Sequence, residues 1–171
     1  GYRPKRSAGQ AVLAVKEALV RSWWVVDADI EGYFDNVDHE ILRGLVRRRI
    51  SDRRVLKLID QWLGAGVMID GQRHQTRGGV PQGGVISPLL ANIYLHSLDR
   101  WWSDHHAGIG QLYRYCDDFV VVCRSRRAAQ QVRDLVAGFL GRLKLTLHPG
   151  KTHVVDLGCD GFDFLGFHFH K

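Results

Sequence analysis

The chain has 171 residues, room for one domain with a substantial core, and carries 24 Lys and Arg against 18 Asp and Glu. The formal net charge of +6 favours polyanionic partners. No apolar run is long enough to span a bilayer, and three cysteines without a CxxC pair exclude a disulfide framework or a cysteine zinc site, so the chain reads as cytoplasmic.

In chain order, Ser7 with Gln10 three residues on is a capping-box pattern, opening a helix whose Val12, Val15 and Leu19 share a face. A β-branched strand is expected from Trp23 to Ile30. Asp38 is a candidate cap for a second helix with Ile41, Leu42 and Leu45 inward and Arg47, Arg48 and Arg49 near its C-terminus, where the dipole favours cations. Val55, Leu58, Ile59 and Trp62 mark a third helix ended by Gly64. Val67 to Thr76 alternates around Asp70-Gly71, a hairpin signal. Ser87 reads as an N-cap followed by Pro88 at the first helical position, with Leu90, Tyr94, Leu98 and Trp101 along one side. Apolar runs Leu112 to Tyr115 and Phe119 to Cys123 flank a tight turn, and Ser125 starts a helix with Val132, Leu135, Val136 and Phe139 apolar. Two short strands close the chain, around Val154-Val155 and from Phe162 to Phe167. The pattern predicts an antiparallel sheet with helices packed mainly on one face, an α+β fold in one domain.

Two features carry chemistry. Tyr115-Cys116-Asp117-Asp118 sets adjacent carboxylates at a hairpin tip, although adjacent acids repel and are poor strand formers. They are either a polar turn, since Asp is a turn residue, or ligands for a hard divalent cation that shares carboxylate oxygens with substrate phosphates. Asp27 and Asp29 sit at the end of the first strand, so a fold that joins the two strand ends would build a two-metal site. Arg124, Arg126 and Arg127 add to the basic clusters, although such runs are usually solvated helix faces. His105, His106, His168 and His170 are more often surface histidines than ligands.

Four blocks in order resemble the polymerase core of a reverse transcriptase, most like those encoded by bacterial group II introns. They are Asp27 to His39 (DADIEGYFDNVDH), Gly79 to Leu95 (GVPQGGVISPLLANIYL), Leu112 to Val120 (LYRYCDDFV), and Leu147 to Thr152 (LHPGKT) followed by Phe162 to Phe167 (FDFLGF). The resemblance covers nearly the whole chain. It implies a right-hand polymerase palm with part of the fingers over residues 1–171. The chain starts at Gly1-Tyr2 without an initiator Met and stops shortly after Phe167. A longer protein is therefore expected, with an N-terminal fingers segment and a thumb and maturase region outside these residues.

The resemblance also implies roles. Asp29 and Asp117 would bind two Mg²⁺ ions, replaceable by Mn²⁺, with Asp118 more peripheral and the Ile30 carbonyl as a further ligand. Phe34 resembles the family's steric gate against a 2′-hydroxyl. Gln82 and Gly83 would lie beside the incoming nucleotide, and Arg77 and Pro81 beside the template. Lys151 is a candidate acid or charge partner for pyrophosphate, and Phe164, Leu165 and Gly166 resemble the primer grip. Expected partners are an RNA template, a DNA or RNA primer, dNTPs and structured intron RNA, with no membrane. Taken as residues alone, Phe34 also fits a core aromatic, Pro81 to Gly84 a loop, Arg77 and Lys151 surface cations, and Phe164 to Gly166 a closing strand.

Two departures stand out. The family's hairpin usually has alanine where this chain has Cys116, and its Asn-Pro-x-Lys pattern is here His148-Pro149-Gly150-Lys151. Competing readings are an RNA-binding splicing cofactor on a polymerase fold, a CRISPR-associated or defence reverse transcriptase, and a palm-like phosphodiesterase or cyclase. Three clustered acids facing a polyanion argue against a pure binder. Phe34 and Gln82-Gly83, with sugar and template jobs, argue against the cyclase class.

Overall fold

The computed structural model describes residues 4–69, 72–74, 78–80 and 84–171. The expected turn at Asp70-Gly71, and Thr76, Arg77, Pro81, Gln82 and Gly83, lie outside the described residues.

Helix α1 (Ala8–Leu19) opens on a closed capping box: Ser7 Oγ accepts from the Gln10 amide at 3.3 Å, and the Gln10 side chain accepts from the Ser7 amide at 3.1 Å. Strand β1 (Trp24–Ala28) leads into a 3₁₀ turn (Tyr33–Asn36), then α2 (His39–Arg47) and α3 (Arg53–Gly64). Strands β2 (Val67–Ile69) and β3 (Gln72–His74) pair antiparallel, with Ile69 opposite Gln72. Helix α4 (Ser87–His105) precedes β4 (Gly110–Tyr115) and β5 (Asp118–Cys123). Helix α5 (Arg126–Arg142) is capped by Ser125 Oγ, which accepts from the Ala128 amide at 3.2 Å. Strands β6 (His153–Asp156), β7 (Phe162–Phe164) and β8 (Phe167–Phe169) complete the fold.

The main sheet has the order β4-β5-β1-β6, and every neighbouring pair is antiparallel. Because side chains alternate along a strand, the apolar runs in β1 and β5 feed two cores. Val26, Ala28, Phe119, Val121 and Cys123 face α2, α3, α4 and α5, where Leu42, Tyr94, Leu98, Val136 and Leu140 are buried. Val25, Val120, Val122 and Val155 face the other way, covered by Val15 of α1 and by Phe162 and Phe164. The α+β architecture therefore has most of its helices on one face, with α1 and the β7–β8 hairpin on the other. Among the described residues, no helix is long and apolar enough to cross a membrane.

Two expectations are corrected, and the third helix, which forms as expected, buries only part of its apolar stripe. Ser87 is not the cap of α4. A turn at Val85–Ile86 brings the chain into the helix one residue early, so Ile86 caps without a side-chain bond and Ser87 is buried inside the first turn. On α3, Ile59 and Leu63 are buried, while Val55, Leu58 and Trp62 are exposed. Their stripe is wider than the contact with α2 can cover. Finally, the expected single strand from Phe162 to Phe167 is a hairpin, turning at Leu165 (φ 53°) and Gly166 (φ 79°). Two successive positive φ values are the signature of the tight turn that matches strand twist.

Asp38 joins two parts of the molecule. Its Oδ1 accepts from the Glu40 and Ile41 amides at 2.9 Å, and its Oδ2 receives Lys144 Nζ from beyond α5. The Lys144 bond, then the Ile41 amide, holds this carboxyl below the usual carboxylate range. The pair's contribution is thus present above the ordinary Asp pKa of about 4 and lost as pH falls through the lowered value. Asp38→Ala should cost about 1–2 kcal/mol in urea unfolding at neutral pH. The gap to the parent should close below the carboxylate range.

Candidate active site

At the end of β1 the sheet changes partners. Beyond Ala28, the Asp29 carbonyl accepts from the His148 amide at 2.8 Å, the Glu31 amide donates to the Thr146 carbonyl at 2.9 Å, and Ile30 bridges to Leu147. The segment carrying Asp29 is therefore fixed to the loop before β6 by main-chain bonds. In that loop His148 organises the turn. Its Nδ1 accepts from the Gly150 amide at 3.1 Å, and its carbonyl accepts from the Lys151 and Thr152 amides. The turn brings Lys151 Nζ to 3.5 Å from Asp29 Oδ2, with both side chains partly open to water.

The register brings the distant acids together. Ala28 lies opposite Phe119, so one step further Asp29 faces Asp118, and alternation puts Asp27, Asp29 and Asp118 on one face. Asp117 occupies the turn between Tyr115 and Asp118, which are directly paired. Of the two turn residues only Cys116 has positive φ, at 61°, the arrangement of a type II′ turn whose first position usually holds glycine. Partial desolvation, then Asp117 and Asp29, push the Asp118 carboxyl up. Asp27 is pushed up to about 6, by burial first and by Asp118, Asp163 and Asp29 among its neighbours, with His153 opposing. These acids thus share one electrostatic neighbourhood.

The 3₁₀ turn sets Phe34 beside this edge. Gly32 opens it at φ 52°, where a Cβ would lie 3.0 Å from Asn36 Nδ2, and that amide nitrogen donates to the Glu31 and Gly32 carbonyls. Tyr33 is buried, donating its hydroxyl to the Ala91 carbonyl, and Phe34 packs edge-on against it, half-buried, with ring centroids 5.5 Å apart. The Phe34 carbonyl accepts from the Val80 amide at 2.7 Å, and His39 Nε2 lies 2.6 Å from the Gly79 carbonyl. Gly79 sits at φ 86°, and a Cβ there would come within 3.1 Å of the Asp35 carbonyl and 3.2 Å of the Phe34 carbonyl. The residues leading into Pro81-Gln82-Gly83 are thereby bonded to the turn that holds Phe34.

Phe164 is buried in the second core, while Leu165 and Gly166 form the tip of the β7–β8 hairpin on the face that carries Val120. Asp27 was given no role of its own among the acids at the end of the first strand, although as an acid inside a valine-rich strand it was visible. Arg114 was not, because its partners are on α4: Nε and Nη2 bind the two Asp99 carboxylate oxygens, and Nη1 donates to Asn92 Oδ1 and to the Cys116 carbonyl.

Among the described residues, the side chains form no closed group of three or more metal ligands. The donor chemistry nevertheless suits Mg²⁺, which takes one or two carboxylates and completes its shell with water and substrate phosphates. Asp29 just beyond β1, Asp117 in the turn and Asp118 at the start of β5 offer carboxylates of that kind.

The family model for reverse transcriptase (RNA-dependent DNA polymerase) matches residues 1–169. The chain belongs to this family. It is 37% identical to Protein YkfC of Escherichia coli K12, over 97% of this chain and 53% of that protein. It is 46% identical to the group II intron-encoded protein LtrA of Lactococcus lactis, over 59% of this chain and 17% of LtrA. The chain thus spans about half of one relative and a smaller part of the other. The apo telomerase of Candida tropicalis, truncated from its C-terminal domain, superposes with a TM-score of 0.73 at 15% identity, over 95% of this chain and 38% of that one. At that identity the likeness shows the fold, that of a reverse transcriptase palm with part of the fingers.

Proposed function

We propose that this chain carries the catalytic core of an RNA-directed DNA polymerase that extends a primer 3′-hydroxyl with dNTPs, in a group II intron-type element whose protein also assists RNA splicing. One observation carries the reading: the β1–β5 register ends at Ala28 opposite Phe119, which leaves Asp29 and Asp118 at neighbouring strand ends. Asp117 occupies the adjoining turn, and both it and Asp29 lie close enough to push the Asp118 carboxyl up. Two Mg²⁺ ions, or Mn²⁺, held by Asp29 and Asp117, with Asp118 and the Ile30 carbonyl at the margin, would supply an activated hydroxyl and charge neutralisation for phosphoryl transfer.

The chain's own groups do the rest. Phe34 forms a floor under the sugar that leaves no room for a 2′-hydroxyl. Gln82 and Gly83 lie beside the nucleotide, and Arg77 and Pro81 beside the template. Lys151 offsets charge at Asp29 and meets the leaving pyrophosphate, while Phe164, Leu165 and Gly166 steady the primer. The basic surface suits RNA, which favours a template and structured intron RNA as partners. That LtrA is intron-encoded supports the splicing role. The domain is read as palm plus partial fingers, with the remaining fingers and the thumb and maturase region contributed by further chain.

Primer extension on an RNA template with dNTPs and Mg²⁺ tests the proposal. Asp117-dependent extension is expected; tight intron-RNA binding without any extension would leave only the splicing-cofactor reading. Phe34→Ala should raise ribonucleotide incorporation relative to dNTPs by roughly 10- to 100-fold, the size of a steric discrimination of 1–3 kcal/mol. Competition between a ribonucleotide and its dNTP reads this out, and unchanged sugar selectivity would remove the gate.

A further inference from the structure

We propose that Arg114 is a positioning residue for the metal-binding turn, clamping the Cys116 carbonyl to helix α4 so that Asp117 is held ready for its task. The inference rests on the polymerase reading of the site. Leu112 and Arg114 share the strand face turned toward the helices, whereas Tyr113 and Tyr115 pack into the opposite core. A guanidinium there is an anomaly. Its side chain is 5% exposed, and burying a cation costs several kcal/mol unless its partners are well placed.

The partners are well placed, and they are not all structural. Two donors meet both oxygens of Asp99 and another reaches Asn92; these partners are seven residues apart, two turns along one side of α4. The remaining contact goes to the carbonyl of Cys116. That residue is the strained one, a non-glycine at φ 61°. Such strain costs about 1–3 kcal/mol and persists only where the surroundings over-determine the conformation. An ion pair alone would be replaceable by apolar side chains; the bond to the turn would not. Lysine could keep the charge but not the planar fork that reaches acceptors on three residues at once. Because α4 begins within the Gly79 to Leu95 block and Asn92 belongs to both, the clamp also ties the acidic hairpin to that block.

The test uses the 171-residue protein with Cys159→Ser, so that Cys116 is the accessible thiol while Cys123 stays buried. Arg114→Lys is compared with the double variant Arg114→Met/Asp99→Leu, which removes the buried charge together with its partner. Three quantities are read: melting temperature, iodoacetamide labelling of Cys116 by mass spectrometry, and single-nucleotide incorporation against Mg²⁺ concentration. The double variant should melt near the parent. In both variants Cys116 should label roughly 10- to 100-fold faster, matching the loss of one charge-assisted hydrogen bond. Losing a cation beside a thiol would by itself slow labelling, so acceleration reports a freed turn. Incorporation at saturating dNTP should fall, with a higher Mg²⁺ requirement and a smaller change in the KM for dNTP. Parental labelling in the folded double variant would overturn the proposal, and so would faster labelling with parental incorporation and Mg²⁺ dependence. Faster labelling in a protein whose parent never incorporates a nucleotide, even when this chain is carried in its full-length protein, would keep the clamp but overturn its catalytic purpose, and the polymerase reading with it.

Discussion

Asp117→Ala is expected to slow single-nucleotide incorporation by roughly 1,000-fold or more, the several kcal/mol that a catalytic cation supplies when its ligand is lost. The fold should not suffer. Asp117 sits at the hairpin tip, partly open to water, and makes no hydrogen bond or ion pair with a described residue. Its removal also relieves the like-charge crowding that raises Asp118. The variant should therefore melt at or slightly above the parent's temperature. Single-turnover incorporation beside a melting curve separates the two effects. A variant that loses activity only because it unfolds would contradict the assignment. Asp118→Ala should cost less, since Asp118 starts β5 at the exposed margin of the site.

The largest expected stability effect belongs to Phe119→Ala. Phe119 is 1% exposed, lies opposite both Ala28 and Arg114, and packs on the helix face of the central strand pair. Truncating such a ring removes its burial and leaves a cavity that the sheet cannot collapse, at a cost of about 3–5 kcal/mol. Against a total of roughly 5–15 kcal/mol for a single domain, that is a large share. The midpoint should fall by on the order of 10 °C. Urea unfolding checks it, and a loss under about 1 kcal/mol would mean that β5 is not a core strand. Phe119 also shares β5 with the second core's Val120 and Val122, so the loss should weaken both cores.

Local signals were legible because they need only neighbours in sequence. Ser7 with Gln10, Asp38 and Ser125 each satisfy amides two or three residues away, and each caps the helix expected of it. The β2 and β3 strands likewise follow from alternation. Leu165-Gly166 was hidden inside an aromatic run whose alternation reads as one strand, and only the two positive φ values mark the turn. Ser87 failed for a related reason: a turn one step upstream captured the helix start. The α3 stripe marked its helix, although sequence periodicity does not say how much of a stripe a neighbour covers.

The site divides the same way. Each acid was visible as an oddity in an apolar setting, but the order β4-β5-β1-β6 brings Asp29 beside Asp118 through a non-sequential strand pairing. Local pattern contains no such pairing, and only the ordered blocks of the family resemblance carried it. Arg114 with Asp99 is the sharper case. The pair depends on α4 packing against β4, and an isolated Arg in a strand gives no hint of that.

The central claim is that Asp29 and Asp117, 88 positions apart in the chain, hold cations in one centre. Local cleavage by bound iron tests it most directly. Fe²⁺ would replace Mg²⁺ in a complex of the protein with an RNA template, a primer ending in a dideoxynucleotide, and the next dNTP, and ascorbate with peroxide would then generate hydroxyl radicals at the metal. The account predicts backbone cleavage around both Asp29 and Asp117, suppressed together by excess Mg²⁺ and by Asp117→Ala. Cleavage near one of the two positions alone, or at both with Asp117→Ala making no difference, would contradict it.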